Sequence, residues 1–136
     1  MIDDYFEAFY VEINIRKRKW LIGCTYNPKS SLISTHLDQI GKNLDKYMLT
    51  YSNFLLLGDL NAEPTNPTVH DFCQVYSCKN LIHENTCFKN PQNPSCIDLM
   101  LTNMTKYFQS SLVLETGLSD FHKMTLTVMK NKSISR

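Results

Sequence analysis

The fold of this chain is decided around the stretch Phe54-Leu55-Leu56-Leu57-Gly58-Asp59-Leu60-Asn61. Four apolar residues in succession predict a short strand that is buried on both faces. Gly58 then lets the backbone turn or approach a neighbour closely. Asp59 and Asn61 follow at a spacing of two, so both side chains can point to one side of the strand end. This pair suits a site that handles a metal-bound phosphate, but an Asx turn that merely closes the strand accounts for it equally well.

The length and composition predict one globular domain. The chain has 136 residues, of which 43% are hydrophobic and 11% aromatic, so it can form a packed core. A formal net charge of +1 does not exclude a local basic patch that binds nucleic acid. No apolar run is long enough to span a membrane, and the acidic start Met1-Ile2-Asp3-Asp4 does not resemble a signal peptide. We therefore expect an intracellular protein, nuclear or cytoplasmic, without a membrane partner.

The cysteines are odd in number and contain no CxxC pair; they are Cys24, Cys73, Cys78, Cys87 and Cys96. Zinc is an alternative to consider, because two histidines, His70 and His83, lie near two of these cysteines in the sequence. Structural zinc sites usually take their ligands in tight pairs. We therefore expect free thiols in a reducing compartment and no bound zinc.

The segment before the central strand predicts a hairpin. Residues 7–15 alternate between apolar and polar side chains, and a second apolar run covers residues 20–26. The two runs flank a charged link, Arg16-Lys17-Arg18-Lys19, so they form an antiparallel pair. The link is either a solvated turn, which we favour, or a contact for a phosphate backbone.

A helix then connects the hairpin to the central strand. Thr35 and Asp38 fit a capping box at its start, and apolar residues recur at helical spacing from Leu37 to Tyr51. The order strand, helix, strand predicts a crossover connection on a sheet.

The remainder of the chain alternates between loops and short elements. We expect a short helix over 69–76, an exposed Asn- and Pro-rich loop over 85–95, strands over 97–101, 108–114 and 124–128, and a frayed tail over 131–136. Asp98 lies inside an apolar strand, and it needs a partner because an unpaired buried carboxylate is costly.

Polar residues gather at the strand ends, and strands that stack side by side would bring them into one pocket. They are Tyr26, Asn27, Asp59, Asn61, Asp98, Ser119, Asp120 and His122. Carboxylates in such a pocket hold a hard divalent cation through oxygen ligands. A histidine oriented by an aspartate moves a proton or stabilises a phosphorane-like transition state.

In order, the motifs Tyr-Asn-Pro, Gly-Asp-x-Asn, Ser-x-Ile-Asp-x-x-Leu and Ser-Asp-x-His resemble the endonuclease/exonuclease/phosphatase superfamily, which includes abasic-site endonucleases and DNase I-like enzymes. The stretches NFLLLGDLNAEP, TCFKNPQNPSCIDLMLTN and ETGLSDFHKMTLTVMK are similar to the endonuclease domain of non-LTR retrotransposon polyproteins. The resemblance covers residues 7–130 and implies a two-sheet α/β sandwich of the DNase I-like type. It also implies that the complete domain hydrolyses a DNA phosphodiester with Mg²⁺.

The resemblance assigns a role to each motif residue. Asp59 would activate the attacking water and Asn61 would orient the phosphate. Asp98 would hold His122, the catalytic histidine. The phosphate would be contacted by Tyr26 and Asn27, and Asp120 would be an acid on the metal side.

The chain departs from the family at two places. The family has histidine directly after Ser-Asp, whereas Phe121 intervenes here. In an extended strand this shift turns the side chain to the opposite face, so either a bulge restores His122 to the site or His122 lies outside it.

The second departure concerns the metal. The family's first segment carries the main metal-binding glutamate in a Gln-Glu context, and neither Glu7 nor Glu12 matches that motif. We therefore expect residues 1–130 to form a partial domain whose N-terminal part is missing, with exposed sheet that favours self-association. We expect this chain to nick DNA negligibly. The alternatives are an inert remnant of the domain, a phosphatase of the same fold, and a plain binding module.

Overall fold

A computed structural model of the chain describes residues 7–29 and 31–130, so the expected frayed tail over 131–136 lies outside the described residues. The elements are β1 (Glu7–Ile15), β2 (Arg18–Tyr26), α1 (Ile33–Tyr47), β3 (Asn53–Asp59), α2 (Pro67–Val75), β4 (Lys79–Asn80), β5 (Asp98–Thr102), β6 (Phe108–Leu114) and β7 (Met124–Met129). In the described part of the chain, neither helix has the length and apolar character needed to cross a membrane.

The strands form two sheets. A five-stranded sheet has the order β1-β2-β3-β5-β4, and β6 pairs with β7 in a second sheet. Only β2 and β3 are parallel in the larger sheet; its other pairs are antiparallel. The parallel pair is joined by α1, which confirms the predicted crossover. The architecture is an α/β fold of two sheets, as the resemblance implies.

The central strand is as buried as its sequence predicts. Residues 53–56 of β3 are buried, and they lie between β2 and β5 in the sheet. Leu37, Ile40 and Leu44 of α1 belong to the same core. Trp20 packs edge-on against Phe108, with ring centroids 5.7 Å apart, and this contact joins the two sheets.

The predicted hairpin is confirmed. Strands β1 and β2 pair from Glu7↔Tyr26 to Ile15↔Arg18, and only Arg16 and Lys17 form the turn between them. Both turn residues have positive φ, 52° and 67°, which matches the twist of a tight two-residue hairpin turn. All four basic residues of the link are exposed, as a solvated turn requires.

One local prediction is wrong, and a second holds only in part. Helix α1 begins at Ile33 after Leu32, which provides no side-chain cap, so Thr35 lies inside the helix and forms no capping box. The Asn- and Pro-rich loop is exposed at Asn85 and over residues 89–93, whereas Thr86 and Cys87 are buried. Cys87 and Ser95 exchange backbone hydrogen bonds of 2.9 and 3.0 Å, which close the loop on itself.

A buried histidine makes the stability of the fold depend on pH. The Thr25 hydroxyl donates to the carbonyl of Glu7, so it accepts a hydrogen bond from His36 Nε2, 2.6 Å away. Burial lowers the pKa of His36 to about 4. The unfolded chain therefore binds a proton near its ordinary pKa of about 6.5 that the folded chain does not bind.

We expect the free energy of unfolding to fall by about 2 kcal/mol between about pH 7.5 and about pH 5 because of this histidine. The stabilisation is complete above the unfolded pKa and is lost as the pH falls below it. Urea unfolding of the wild type and of His36→Gln at both pH values measures the effect. The glutamine variant retains an N–H donor but cannot be protonated, so its pH dependence should be flatter; an equal slope in both proteins would contradict the assignment.

Candidate active site

The register of the large sheet places three of the expected site residues in one row. Tyr26 of β2 lies opposite Asp59 of β3, and Asp59 lies opposite Asp98 of β5. Directly paired residues of neighbouring strands project from the same face of a sheet. The sheet therefore brings these strand ends together, as predicted from the sequence.

Gly58 is required by the close approach of β2 to β3 just before this row. Its φ is +151°, and a Cβ atom there would lie 1.8 Å from the carbonyl oxygen of Thr25. No side chain fits in that space, so only glycine lets Asp59 follow the strand in this position.

Asp59 and Asn61 form the Asx turn that their spacing suggests. The Asp59 carboxylate accepts a 2.9 Å hydrogen bond from the backbone N–H of Asn61, which has a φ of 49°. The Asn61 amide donates a 2.6 Å hydrogen bond to the carbonyl of Asn27. The Asx turn thus fixes one oxygen of Asp59 and leaves the other free for the site.

His122 lies between the two aspartates. Its Nδ1 is 2.9 Å from Asp98 Oδ2, and its Nε2 is 4.0 Å from Asp59 Oδ2. The predicted hydrogen bond between His122 and Asp98 is therefore confirmed, and Asp98 has the partner that its position requires. The side chains are 20%, 19% and 33% exposed for Asp59, Asp98 and His122, so the group is open to solvent on one side.

His122 reaches the site because the segment before it is not a strand, so no β-bulge is needed. Residues 117–121 form a series of bends before β7, so the alternation of a strand does not apply to Phe121 and His122. The Ser119 hydroxyl accepts the backbone N–H groups of Phe121 and His122 at 3.4 and 3.2 Å. Phe121 is 47% exposed and points away from the core, while the backbone of His122 forms an isolated antiparallel β-bridge with Cys87.

The site raises the pKa of Asp59. Burial is the main cause, and the charge of Asp98 adds to it; the hydrogen bond from Asn61 and the proximity of His122 act in the opposite direction. Two carboxylates at one partly buried place repel each other, and a bound cation would relieve that repulsion.

Asp59, Asp98 and His122 also fit a divalent cation. One ligand atom from each of them lies within 4.8 Å of the others. Mg²⁺ is usually held by one or two carboxylates together with phosphate and water, and the two aspartates supply such carboxylates. The ligand set thus accommodates the ion that the resemblance implies.

The other expected site residues occupy more varied positions. Asp120 is exposed and lines a shallow pocket with Glu115 and Lys123, and among the described residues it does not join the group of three. Tyr26 is 43% exposed at the row's end. Asn27 is 1% exposed, and its amide donates to the carbonyl of Leu60, so its side chain holds the loop together in this structure. The proposed roles of these three residues towards phosphate or metal stay predictions.

Thr86 is a supporting residue that the sequence analysis missed. Its hydroxyl is fully buried and accepts the backbone N–H groups of Ile97 and Asp98 at 3.2 and 3.1 Å. Its carbonyl accepts the N–H of Lys123, next to His122, at 2.8 Å. One residue therefore positions the backbone of both members of the Asp98–His122 pair. The only sequence signal was a threonine in a loop twelve residues before the first residue of β5.

We expect Thr86→Val to lower the free energy of unfolding by about 2 kcal/mol, because two partly buried N–H groups lose their acceptor. Thr86→Ser keeps the hydroxyl and loses one methyl group, so it should cost about 1 kcal/mol. Urea unfolding of both variants measures the difference. Equal losses would mean that packing, and not the hydroxyl, accounts for the role of Thr86.

The comparisons with known proteins concern the fold. No family model and no curated protein matches the sequence. The structure is similar to the endonuclease domain of TRAS1, a telomere-specific non-LTR retrotransposon, with a TM-score of 0.74 and 15% identity; the match covers 96% of this chain and 72% of that domain. It is also similar to an endonuclease/exonuclease/phosphatase family protein from Leptotrichia buccalis, with a TM-score of 0.67 and 12% identity; the match covers 90% of this chain and 52% of that protein.

A third similar structure is beta toxin from Staphylococcus aureus, with a TM-score of 0.65 and 14% identity; the match covers 92% of this chain and 57% of the toxin. The chain thus spans about three quarters of the TRAS1 domain and about half of the other two proteins. The chain has the endonuclease/exonuclease/phosphatase fold, which confirms the fold that the sequence motifs imply.

Proposed function

We propose that this chain carries the proton-transfer side of a metal-dependent DNA endonuclease site of the non-LTR retrotransposon type. The observation that carries the proposal is the placement of His122, hydrogen-bonded to Asp98 through Nδ1 and facing Asp59 through Nε2. A carboxylate that fixes one imidazole nitrogen leaves the other to work on a substrate. The likeness to the TRAS1 domain supports DNA as the substrate class.

His122 would act at the phosphate. The Nδ1–H donates to Asp98, which sets the ring orientation and leaves Nε2 as the atom that exchanges a proton or a hydrogen bond with a phosphate oxygen. The imidazole is 33% exposed, so a phosphodiester can reach it from solvent.

Asp59 would act on the attacking water. One of its oxygens is occupied by the N–H of Asn61, and the other lies near His122. A carboxylate oxygen that is partly shielded from solvent and free of other partners is suited to accept the proton of a water molecule. Asn61 and Tyr26 border the same strand ends and would orient the phosphate, and Asn27 would support Asn61 through its carbonyl.

Asp59 would hold Mg²⁺, while Asp98 would remain bound to His122 and Asp120 would be the further acid that the resemblance assigns to the metal side. The ion would supply positive charge to the phosphate and the leaving oxygen. A beta toxin variant of the same fold contains bound magnesium ions, which supports this choice of metal.

Two other functions have specific support. A phosphatase is favoured by the likeness to a mannosyl-6-phosphatase of Bacteroides thetaiotaomicron, with a TM-score of 0.61 and 12% identity over 73% of this chain and 42% of that protein. An inert remnant is favoured because Asp120, the acid expected on the metal side, does not join the candidate metal group among the described residues.

We propose that a further segment of polypeptide, which completes the fold, covers two exposed apolar faces of this chain. Phe9, Val11 and Ile13 project from one side of the edge strand β1, and Leu112 and Leu126 project from the β6–β7 pair. Such a sheet edge and surface favour association, either with an added segment or with a second copy. The partial coverage of the similar structures supports the added segment as the occupant.

The function is tested with this chain extended by the part of the TRAS1 domain that the match leaves uncovered. We expect the extended chain to nick supercoiled plasmid DNA with Mg²⁺, to stop nicking when the metal is chelated, and to release no phosphate from a sugar 6-phosphate. The 136-residue chain, assayed in parallel, should nick negligibly. Phosphate release without nicking would favour the phosphatase, and neither activity would favour the inert remnant.

A further inference from the structure

A second cavity lies outside the candidate active site, beside α2. It has a volume of about 860 Å³, and its lining includes Val69, Cys73, Cys78, Ile82, His83 and Cys96. Three of the five cysteines therefore face one cavity, and no step of the proposed nuclease reaction uses them.

The end of α2 brings two of these thiols together. The N–H of Cys78 donates to the carbonyl of Cys73 at 2.9 Å, and the N–H of Ser77 donates to the carbonyl of Gln74 at 3.3 Å. Ser77 has a φ of 53°. These bonds and this left-handed residue define a Schellman motif, in which the side chains of the first and last residues of the motif frequently pack together. Here those residues are Cys73 and Cys78.

The two sulfur atoms are not equivalent. The Cys78 thiol donates a hydrogen bond to Cys73, which lowers the pKa of Cys73, while the same bond and burial raise the pKa of Cys78. Cys73 is partly exposed where it lines the cavity, and Cys78 is buried beneath it. The attacking thiolate would therefore be Cys73, the thiol that solutes can reach.

We propose that Cys73 and Cys78 form a redox-active dithiol that is oxidised by a low-molecular-weight disulfide entering this cavity. The fold places the pair through a helix cap, so oxidation needs no rearrangement of distant elements. The largely apolar cavity next to the pair provides the space in which the disulfide approaches the Cys73 sulfur.

The reaction consists of two exchanges. The Cys73 thiolate attacks one sulfur of the disulfide, the S–S bond breaks, and one thiolate leaves while the other half stays bound to Cys73. Cys78 then loses its proton to solvent and attacks the Cys73 sulfur, which forms the Cys73–Cys78 bond and expels the second thiolate. The two protein thiols are oxidised by two electrons, the small disulfide is reduced to two thiols, and the two released protons balance the two thiolates.

The remaining cysteines have other surroundings. Cys96 is buried, and its thiol donates to the carbonyl of Ile82. Cys87 is buried against His122, with its sulfur 3.7 Å from Nε2. Cys24 lies in β2 and lines a different surface with Tyr26. The proposal therefore predicts oxidation at one pair only.

The test is to incubate the 136-residue chain with oxidised glutathione, quench with an alkylating reagent, and map the cysteines by peptide mass spectrometry. The wild type should lose two hydrogen masses and form one intramolecular disulfide, between Cys73 and Cys78. Cys78→Ser should stop at a mixed disulfide of Cys73 with one glutathione. Cys73→Ser should slow the loss of thiols by at least about ten-fold, and Cys24→Ser, as the matched control, should oxidise like the wild type.

Wild-type mapping decides the question even if a variant fails to fold. A disulfide between any other two cysteines, or retention of all five thiols by the folded wild type, would overturn the proposal. Formation of a stable glutathione adduct on wild-type Cys73, without release by Cys78, would also overturn it, because the second exchange would then not occur.

Discussion

Replacing Gly58 with alanine is expected to destabilise the fold by about 4 kcal/mol or more, which is most of the stability of many small domains. The new Cβ atom would meet the carbonyl oxygen of Thr25 at 1.8 Å and its carbonyl carbon at 2.8 Å. Both are backbone atoms of β2, so no side-chain rotation relieves the contact. The parallel pairing of β2 with β3 would have to open at the place where Asp59 is presented.

Gly117→Ala is the matched control for this prediction. Gly117 also has a positive φ, +74°, but no atom lies within 4 Å of a Cβ built there. Only backbone strain acts at that position, and it costs about 1 kcal/mol. Urea unfolding followed by circular dichroism measures both variants. A loss at Gly58 no larger than the loss at Gly117 would show that β2 and β3 adjust to the added methyl group without difficulty.

Four of the five strands of the large sheet could be predicted because each has a recognisable local pattern, but the two-residue strand β4 (Lys79–Asn80) has none and was not predicted. The unbroken run Leu55 to Leu57 predicts a central strand, and β3 does lie between two neighbours. The alternation in residues 7–15 predicts a half-buried strand, and β1 is at the sheet edge, but Phe9, Val11 and Ile13 are exposed while Ala8 and Tyr10 contact the core. The row of Tyr26, Asp59 and Asp98 follows from these strands once their pairing is known.

The position of His122 could not be derived in the same way, because it depends on contacts between distant segments. A strand-like reading of residues 119–124 predicts that Phe121 and His122 point to opposite faces. In the structure, Ser119 and the backbone of Thr86 to Phe88 shape that segment instead. The hydroxyl of Thr86 acts across a gap of 12 residues on Asp98, and no periodic pattern contains that information.

The start of α1 illustrates a different reason for failure. Thr35 and Asp38 satisfy the pattern of a capping box, but the helix already begins at Ile33. Burial of His36, Leu37 and Ile40 against the sheet fixes the helix more strongly than a cap, which contributes about 1 kcal/mol. Tertiary packing therefore decided the boundary.

In an extended chain that nicks DNA, we expect His122→Ala to lower the nicking rate by about 10³-fold, because proton transfer at the phosphate is lost. Asp59→Ala should lower the rate by at least as much, since it removes both the acceptor for the water proton and a carboxylate beside the metal. Asp71→Ala changes an exposed aspartate on α2 whose carboxylate, among the described residues, pairs with His70 at 3.9 Å, so it should leave the rate unchanged.

Asp98 is expected to act on the reaction by orienting His122. A double-mutant cycle distinguishes this role from an effect of Asp98 that is independent of His122. Asp98→Asn retains a side chain of the same size but cannot hold the imidazole in the same tautomer, so the single variant should lose about 10²-fold or more in rate. If the 2.9 Å bond to Nδ1 is its main contribution, Asp98→Asn should cost little further activity in a chain that already carries His122→Ala. Losses that multiply fully in the double variant would instead assign Asp98 an independent role, such as holding the metal. The nicking rates of the two single variants and the double variant, each with stability checked by urea unfolding, distinguish these outcomes.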